Sequence, residues 1–188
     1  MQLQTLVTAP TTRSDRLRSP TTGLVTRTGF RFDIRPACPD DEAALAEFFR
    51  HVTPEDRRFR FLTGLREVGH DFLIRLTQVD HDRTEDFLAF AEGGDMIIAS
   101  AMLAADPDLT RAEVAISIRS DYKKRGLSWT LLEHLSRFAQ AKGIKTLQSI
   151  ESRDNHDAIR LEREMGFVAT AYPGDATLVL VQKTFDTD

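Results

Sequence analysis

A mixed α/β fold, with a mostly antiparallel sheet and helices on both of its faces, is predicted by three patterns in the 188 residues. Val114, Ile116 and Ile118 alternate with Glu113, Ala115 and Ser117, the period of a strand with one apolar face. Leu127, Leu131, Leu132, Leu135, Phe138 and Ala139 then recur at helical spacing. Upstream, two apolar runs at 87–91 and 96–104 flank Gly93-Gly94-Asp95, a hairpin turn. Strands that lead and close the chain, with helices between them, complete the sandwich.

The elements follow in order. Residues 1–30 hold eight threonines, two serines and four arginines against one acid, so a flexible N-terminal tail is expected ahead of a single domain spanning 31–188. Phe32 and Ile34 begin a strand. A helix over 41–51 turns Ala44, Leu45, Phe48 and Phe49 inward, and Thr53-Pro54 supplies the cap and first residue of the next helix. A short helix at 72–76 precedes the hairpin. Beyond the central strand and its helix, 144–150 reads as a strand. Asp154 or Asn155 can cap a helix whose face is Ala158, Leu161 and Met165 and whose end is Gly166. Runs at 167–171 and 177–182, parted by Pro173-Gly174, close the sheet.

Composition narrows the function. Twenty-nine acids against twenty-five bases give a net charge of −4, which excludes a general electrostatic grip on nucleic acid. No run approaches the roughly eighteen apolar residues of a membrane span, so no membrane partner is expected. Cys38 is the single cysteine, which rules out an internal disulfide framework and fits a cytoplasmic protein. It reads as a packing residue. His51, His70, His81, His134 and His156 lack metal-ligand spacing, so no metal is expected. Asp80-His81-Asp82 reads as a turn, and His134 as solvated.

The stretch between the central strand and its helix carries the chemistry. Lys123, Lys124, Arg125, Gly126, Leu127, Ser128 and Trp129 form a basic turn around one glycine that opens a helix. The free N–H groups of a helix start and its positive dipole end suit an anionic ligand. A solvated basic turn would carry the same residues, and Trp129 reads first as a packing residue against the sheet, next as a neighbour of a bound base.

Residues 123–128 resemble motif A of the GNAT acyltransferases, whose pattern is Gln or Arg, any, any, Gly, any, Gly or Ala. Lys123 departs at the first position and Ser128 at the last; both keep a cation or a small side chain in place. The run from Asn155 to Gly166-Phe167 resembles the family's second signature. Ile34-Arg35-Pro36, Phe48-Phe49, Thr53-Pro54-Glu55-Asp56, Arg60-Phe61, 76–80 and Arg111-Ala112-Glu113 resemble Pat-type protein lysine acetyltransferases. The resemblance covers about 31–171. It implies a GNAT-like fold and an acetyl-CoA donor lying between the strand at 114–118 and the strand at 145–150. Pantetheine would bond the backbone of Ile116, Ser117 and Ile118, the pyrophosphate would rest on residues 124–129, and Asn155 would hold the pantetheine arm.

Transfer of an acyl group to an amine requires the amine neutral, and a lysine of pKa about 10.4 is less than about a thousandth deprotonated at pH 7. Glu113 is the expected general base, because it leaves the strand on the face opposite Val114 and is flanked by the small Ala115 and Ser117. The resemblance implies the same role; a salt-bridged surface glutamate is the alternative. Many relatives place a tyrosine, as general acid, where this chain has Glu162, and a carboxyl copies a phenol only if its pKa is raised. Glu151 is a reserve base. Arg57, Arg58 and Arg60 read as a solvated helix face or as the frame of the acceptor entrance. Asp80, Asp82, Glu85 and Asp86 are expected either as a solvated turn or as an acidic patch that draws in a cationic amine. The expected activity is acetyl transfer from acetyl-CoA to a primary amine of a protein lysine; a small amine acceptor and a non-catalytic acyl-CoA-binding module are the rivals.

Overall fold

The structure is a computed structural model that describes residues 21–62 and 68–185. Among the described residues, eight strands form one sheet in the order β1-β2-β3-β4-β5-β6-β8-β7. They are β1 (Thr22–Val25), β2 (Arg31–Pro36), β3 (Thr84–Ala91), β4 (Ile97–Ala105), β5 (Arg111–Ile118), β6 (Thr146–Ser152), β7 (Val168–Ala171) and β8 (Leu178–Thr184). The helices are α1 (Glu42–Arg50), α2 (Pro54–Phe61), α3 (His70–Thr77), α4 (Leu127–Ala141) and α5 (His156–Glu164). Every neighbouring pair is antiparallel except β5 and β6.

Two apolar layers sandwich the sheet. Leu127, Leu131, Leu132, Leu135 and Ala139 of α4 pack with Leu103, Val114, Leu147 and Val181 on one face. Leu45, Phe48 and Phe49 of α1 join Leu73 and Leu76 of α3 over Leu88 and Ile97 on the other. Each fully buried leucine contributes about 1.5–3 kcal/mol relative to exposure, so α4 is fixed chiefly by its apolar stripe. Local signals set the ends. Thr53 accepts a hydrogen bond from the Asp56 N–H at 3.1 Å and Pro54 opens α2. At the end of α5, Gly166 (φ +87°) lets its own N–H reach the Arg163 carbonyl and the Phe167 N–H reach that of Glu162, both at 3.0 Å.

Three sequence expectations change. The tail does not extend to residue 30: Thr22–Val25 pairs with β2 from Thr22–Ile34 to Val25–Arg31, and Thr26–Gly29 turn the hairpin. Residues 1–20 of the expected tail lie outside the described residues. The strand expected at 144–150 runs from Thr146 to Ser152, because Gly143 and Ile144 still close the end of α4. His134 is half-buried with its ring edge-on to Phe87, centroids 4.8 Å apart, and burial lowers its pKa. Cys38 is half-buried and donates to Asp41 at 3.2 Å.

Candidate active site

The sheet itself makes the cleft. β5 and β6 pair in parallel over only three positions, Arg111–Thr146, Ala112–Leu147 and Glu113–Gln148. Beyond them the strands part, while β5 stays paired to β4 as far as Ile118. One backbone edge of 114–118 therefore faces open space. This gap widens into a cleft of about 700 Å³, within the size range of sites for small ligands.

The N-terminus of α4 stands at one end. Gly126, at φ +83°, caps the helix without a side chain, so the N–H groups of the first turn have no side-chain cap among the described residues. A Cβ at Gly126 would sit 3.1 Å from the Thr26 Cβ, tighter than normal contact, in a backbone conformation that already disfavours side chains. The β1–β2 hairpin braces this loop: the Thr28 hydroxyl donates to the Arg125 carbonyl at 2.7 Å. Lys124 also has positive φ, +61°.

Of the residues expected to hold the donor, Ile116, Ser117, Ile118, Lys123 and Lys124 line the cleft, as do Gly126, Leu127, Ser128, Trp129 and Asn155. Four of the expected residues differ in detail. Arg125 does not line it; its guanidinium lies over Phe30 and Tyr122, 5.2 and 4.9 Å from their centroids. The Lys123 ammonium is paired to Asp56 of α2 at 2.7 Å rather than left free. Asn155 begins α5 without a side-chain cap and donates instead to Glu151 at 2.7 Å. Trp129 is half-buried under Arg27, whose guanidinium carbon is 3.6 Å from the ring centroid, so its partner is a cation of the hairpin.

The other end is acidic. Glu113, Glu151 and Glu162 line the cleft with Arg60. Glu113 is open to solvent through the cleft, yet surrounding protein raises its pKa, against the opposing charge of Arg60. Glu151 is pushed up to about 7 by burial, which outweighs the Asn155 bond and Arg60. Glu162, 5% exposed, is pushed up to about 8 by burial and then by the charge of Glu151, while a 2.5 Å bond from the Ser149 hydroxyl works the other way. Arg60 turns inward, its Nη2 on the Met102 sulfur at 3.4 Å and its Nε without a partner among the described residues. Burial lowers its pKa, opposed by Asp86, Glu113 and Glu151. Of the two readings of Arg60, a solvated face or part of an entrance frame, its place in the cleft lining removes the first, whereas the raised pKa values of Glu151 and Glu162 were not readable from spacing.

The expected acidic patch dissolves. Asp86 is wholly buried, accepts from the Ser100 hydroxyl at 2.9 Å, and is pushed up to about 7 by burial. Glu85 is buried against His81, and Asp80 folds back onto the N–H groups of Asp82, Arg83 and Thr84. Among the described residues no group of three or more His, Cys, Asp or Glu is arranged to hold a metal, and no helix is long and apolar enough to cross a membrane.

The sequence and the overall fold are matched by known proteins. The Acetyltransferase (GNAT) family aligns with residues 45–167. This chain belongs to the GNAT acetyltransferase family. An acetyltransferase of Pseudomonas aeruginosa is 30% identical over 149 residues, which are 78% of this chain and 80% of the relative. The GNAT domain of PAT from S. lividans superposes with a TM-score of 0.80 at 22% identity, covering 88% of this chain and 97% of that domain. A GNAT acetyltransferase of Streptococcus pneumoniae gives 0.67 at 28% identity, over 82% and 99% of the two chains. RimL, a ribosomal L7/L12 α-N-protein acetyltransferase in complex with coenzyme A, gives 0.68 at 14%, over 84% and 96%. This GNAT domain is thus an acetyl-CoA-dependent N-acetyltransferase.

Proposed function

We propose that this GNAT domain acetylates a lysine side chain of a protein in the cytoplasm, with Glu113 as the general base. The observation that carries the reading is the position of Glu113. It is the last β5 residue paired to β6, at the point where the strands part and a thioester threaded along 114–118 would end. Acetyl-CoA would lie with its pyrophosphate on the Lys124–Gly126 turn and the first N–H groups of α4, and its pantetheine arm along the free edge of Ile116–Ile118.

The chemistry then follows from charge. The amine arrives as an ammonium, and the carboxylates at this end of the cleft favour that cation. Glu113, with its pKa raised, is a stronger base than an ordinary surface carboxylate and accepts the proton as nitrogen attacks the thioester carbon. A backbone N–H of β5 facing the gap would stabilise the oxyanion. The likeness to the S. lividans PAT domain supports this reading at the level of fold.

The test is acetyl-CoA consumption across a panel of proteins, lysine peptides, polyamines and aminoglycosides. Turnover with lysine-bearing proteins or peptides that exceeds turnover with small amines supports the proposal. Faster turnover of a polyamine or aminoglycoside moves the acceptor to that class, and acetyl-CoA binding without turnover of any amine favours a binding module.

A further inference from the structure

The β1–β2 hairpin has no part in the mechanism above, yet it is fastened to the loop that opens α4. Its turn lies ahead of residues 45–167, the run aligned with the family. Three contacts fasten it. The Thr28 hydroxyl donates to the Arg125 carbonyl at 2.7 Å, Thr26 lies against Gly126, and the Arg27 guanidinium carbon stands 3.6 Å from the centroid of Trp129. The turn is itself closed, because the Gly29 N–H reaches the Thr26 carbonyl at 2.9 Å and the Phe30 N–H reaches the Thr26 hydroxyl at 3.1 Å. Arg27 is thereby held in a defined place beside the α4 N-terminus.

Charge then singles out Arg27. Other cations around the cleft are already committed. Lys123 pairs with Asp56 at 2.7 Å, Arg58 with Asp154 at 3.8 Å and Arg160 with Asp157 at 2.9 Å, while Arg125 lies over Phe30 and Tyr122. Arg27 is exposed, and the Trp129 ring is what holds its guanidinium. Such a contact uses the face of the guanidinium, whose N–H donors lie in its plane and stay open to an anion.

Acetyl-CoA brings an anion that the α4 N-terminus does not cover. Besides its pyrophosphate it carries a 3′-phosphate on the ribose, a monoester that is mostly dianionic at neutral pH. With the pyrophosphate on the Lys124–Gly126 turn and the pantetheine arm running towards Glu113, the nucleotide leaves in the opposite sense, past α4 to the rim. On the α2 and α5 sides the lining carries Glu55, Asp56, Asp154 and Asp157, which repel a phosphate. On the hairpin side Trp129 lines the cleft with Arg27 over it, and the planar fork of an arginine matches phosphate oxygens. We propose that Arg27 binds the 3′-phosphate of acetyl-CoA, so that the β1–β2 hairpin is the outer wall of the donor site and selects coenzyme A over its 3′-dephospho form. This rests on the pyrophosphate lying at the α4 N-terminus.

Calorimetry with coenzyme A and 3′-dephospho-coenzyme A, at one ionic strength, tests this in wild type, Arg27→Gln and Arg27→Lys. Wild type should bind coenzyme A at least about tenfold tighter than the dephospho form, the scale of one charged hydrogen-bonded contact. Arg27→Gln should bring the two Kd values to within about threefold of each other by weakening coenzyme A alone, and Arg27→Lys, which keeps the charge and loses the fork, should fall between. Arg27 is exposed, so neither change should disturb the fold. A wild type without this preference, a preference that survives in Arg27→Gln, or equal weakening of both ligands overturns the assignment. Gly126→Asp separates the underlying reading, because it should weaken both ligands alike. If it weakens neither, the donor does not lie at α4 and the assignment falls with it; if it weakens both while Arg27→Gln changes nothing, the role of Arg27 alone falls.

Discussion

The two ends of the cleft are built by opposite means. The end at the α4 N-terminus is a continuous stretch of chain, Lys123 to Trp129, whose donors are backbone N–H groups and whose shape depends on one glycine. The end where β5 and β6 part draws Arg60, Glu113, Glu151 and Glu162 from four elements and works through desolvation. In the proposed mechanism a local backbone device binds the donor, and a long-range arrangement of carboxyls sets proton affinities. The first tolerates changes of side chain as long as the backbone can approach its ligand. The second is sensitive to any change in charge.

The largest expected consequence of that contrast is on stability. Glu151 titrates at about 7 in the folded protein against 4.5 for an ordinary glutamate, so the native state holds its proton when the unfolded chain has lost it. Stability should fall as pH rises from about 4.5 to about 7 and stay low above. Glu151→Gln removes its own share of that dependence, leaving those of Glu162 and Asp86, and, by the difference in pKa, should raise unfolding stability at pH 8 by at most about 3 kcal/mol relative to wild type, with little change at pH 4. Chemical denaturation at the two pH values measures it. A variant less stable at pH 8 than at pH 4, by the wild-type difference, would show that burial does not govern this end.

Next in size is the cradle. Gly126→Asp combines left-handed backbone strain, a Cβ pressed on Thr26 and a negative charge beside phosphate. Acetyl-CoA affinity should fall more than about tenfold, or about 1.4 kcal/mol, by calorimetry. An unchanged affinity in a folded variant would remove the donor from this end altogether. The smallest effect is expected at Lys123. Its ammonium is committed to Asp56, an exposed pair worth about 0–1 kcal/mol, so Lys123→Ala should leave acetyl-CoA affinity within about threefold. A tenfold loss would mean that the lysine exchanges Asp56 for phosphate on binding, and that side chains as well as backbone make the cradle.

The same contrast explains what could be read from the sequence. The strand at 113–118, the glycine turn and the amphipathic α4 follow one another within thirty residues, and periodicity with a turn signal was enough to find them. The Thr53-Pro54 helix start and the Gly166 stop were equally local. β1 escaped because Thr22–Val25 is a four-residue edge strand in a threonine-rich stretch; the Thr28-Gly29 turn, ahead of Phe32 and Ile34, was the available hairpin signal. Glu151 and Glu162 were visible as residues, but their proton affinities come from burial and from each other, which depend on how α5 packs against β6. The Asp80–Asp86 stretch misled for the same reason: composition showed four acids, whereas the fold buries Glu85 and Asp86 and turns Asp80 onto its own loop.

The central claim is that an amine loses its proton to Glu113 where β5 and β6 part, and the pH dependence of Glu113→Gln tests it most directly. With the fastest acceptor of the panel, the variant should bind acetyl-CoA with wild-type Kd. Its kcat at pH 7 should fall by about two orders of magnitude, within the usual range for loss of a positioned base, and recover in part as pH rises and more amine arrives neutral. Wild-type turnover by the variant at pH 7, on the same acceptor, would contradict the account and make Glu113 a structural residue at the edge of the fork.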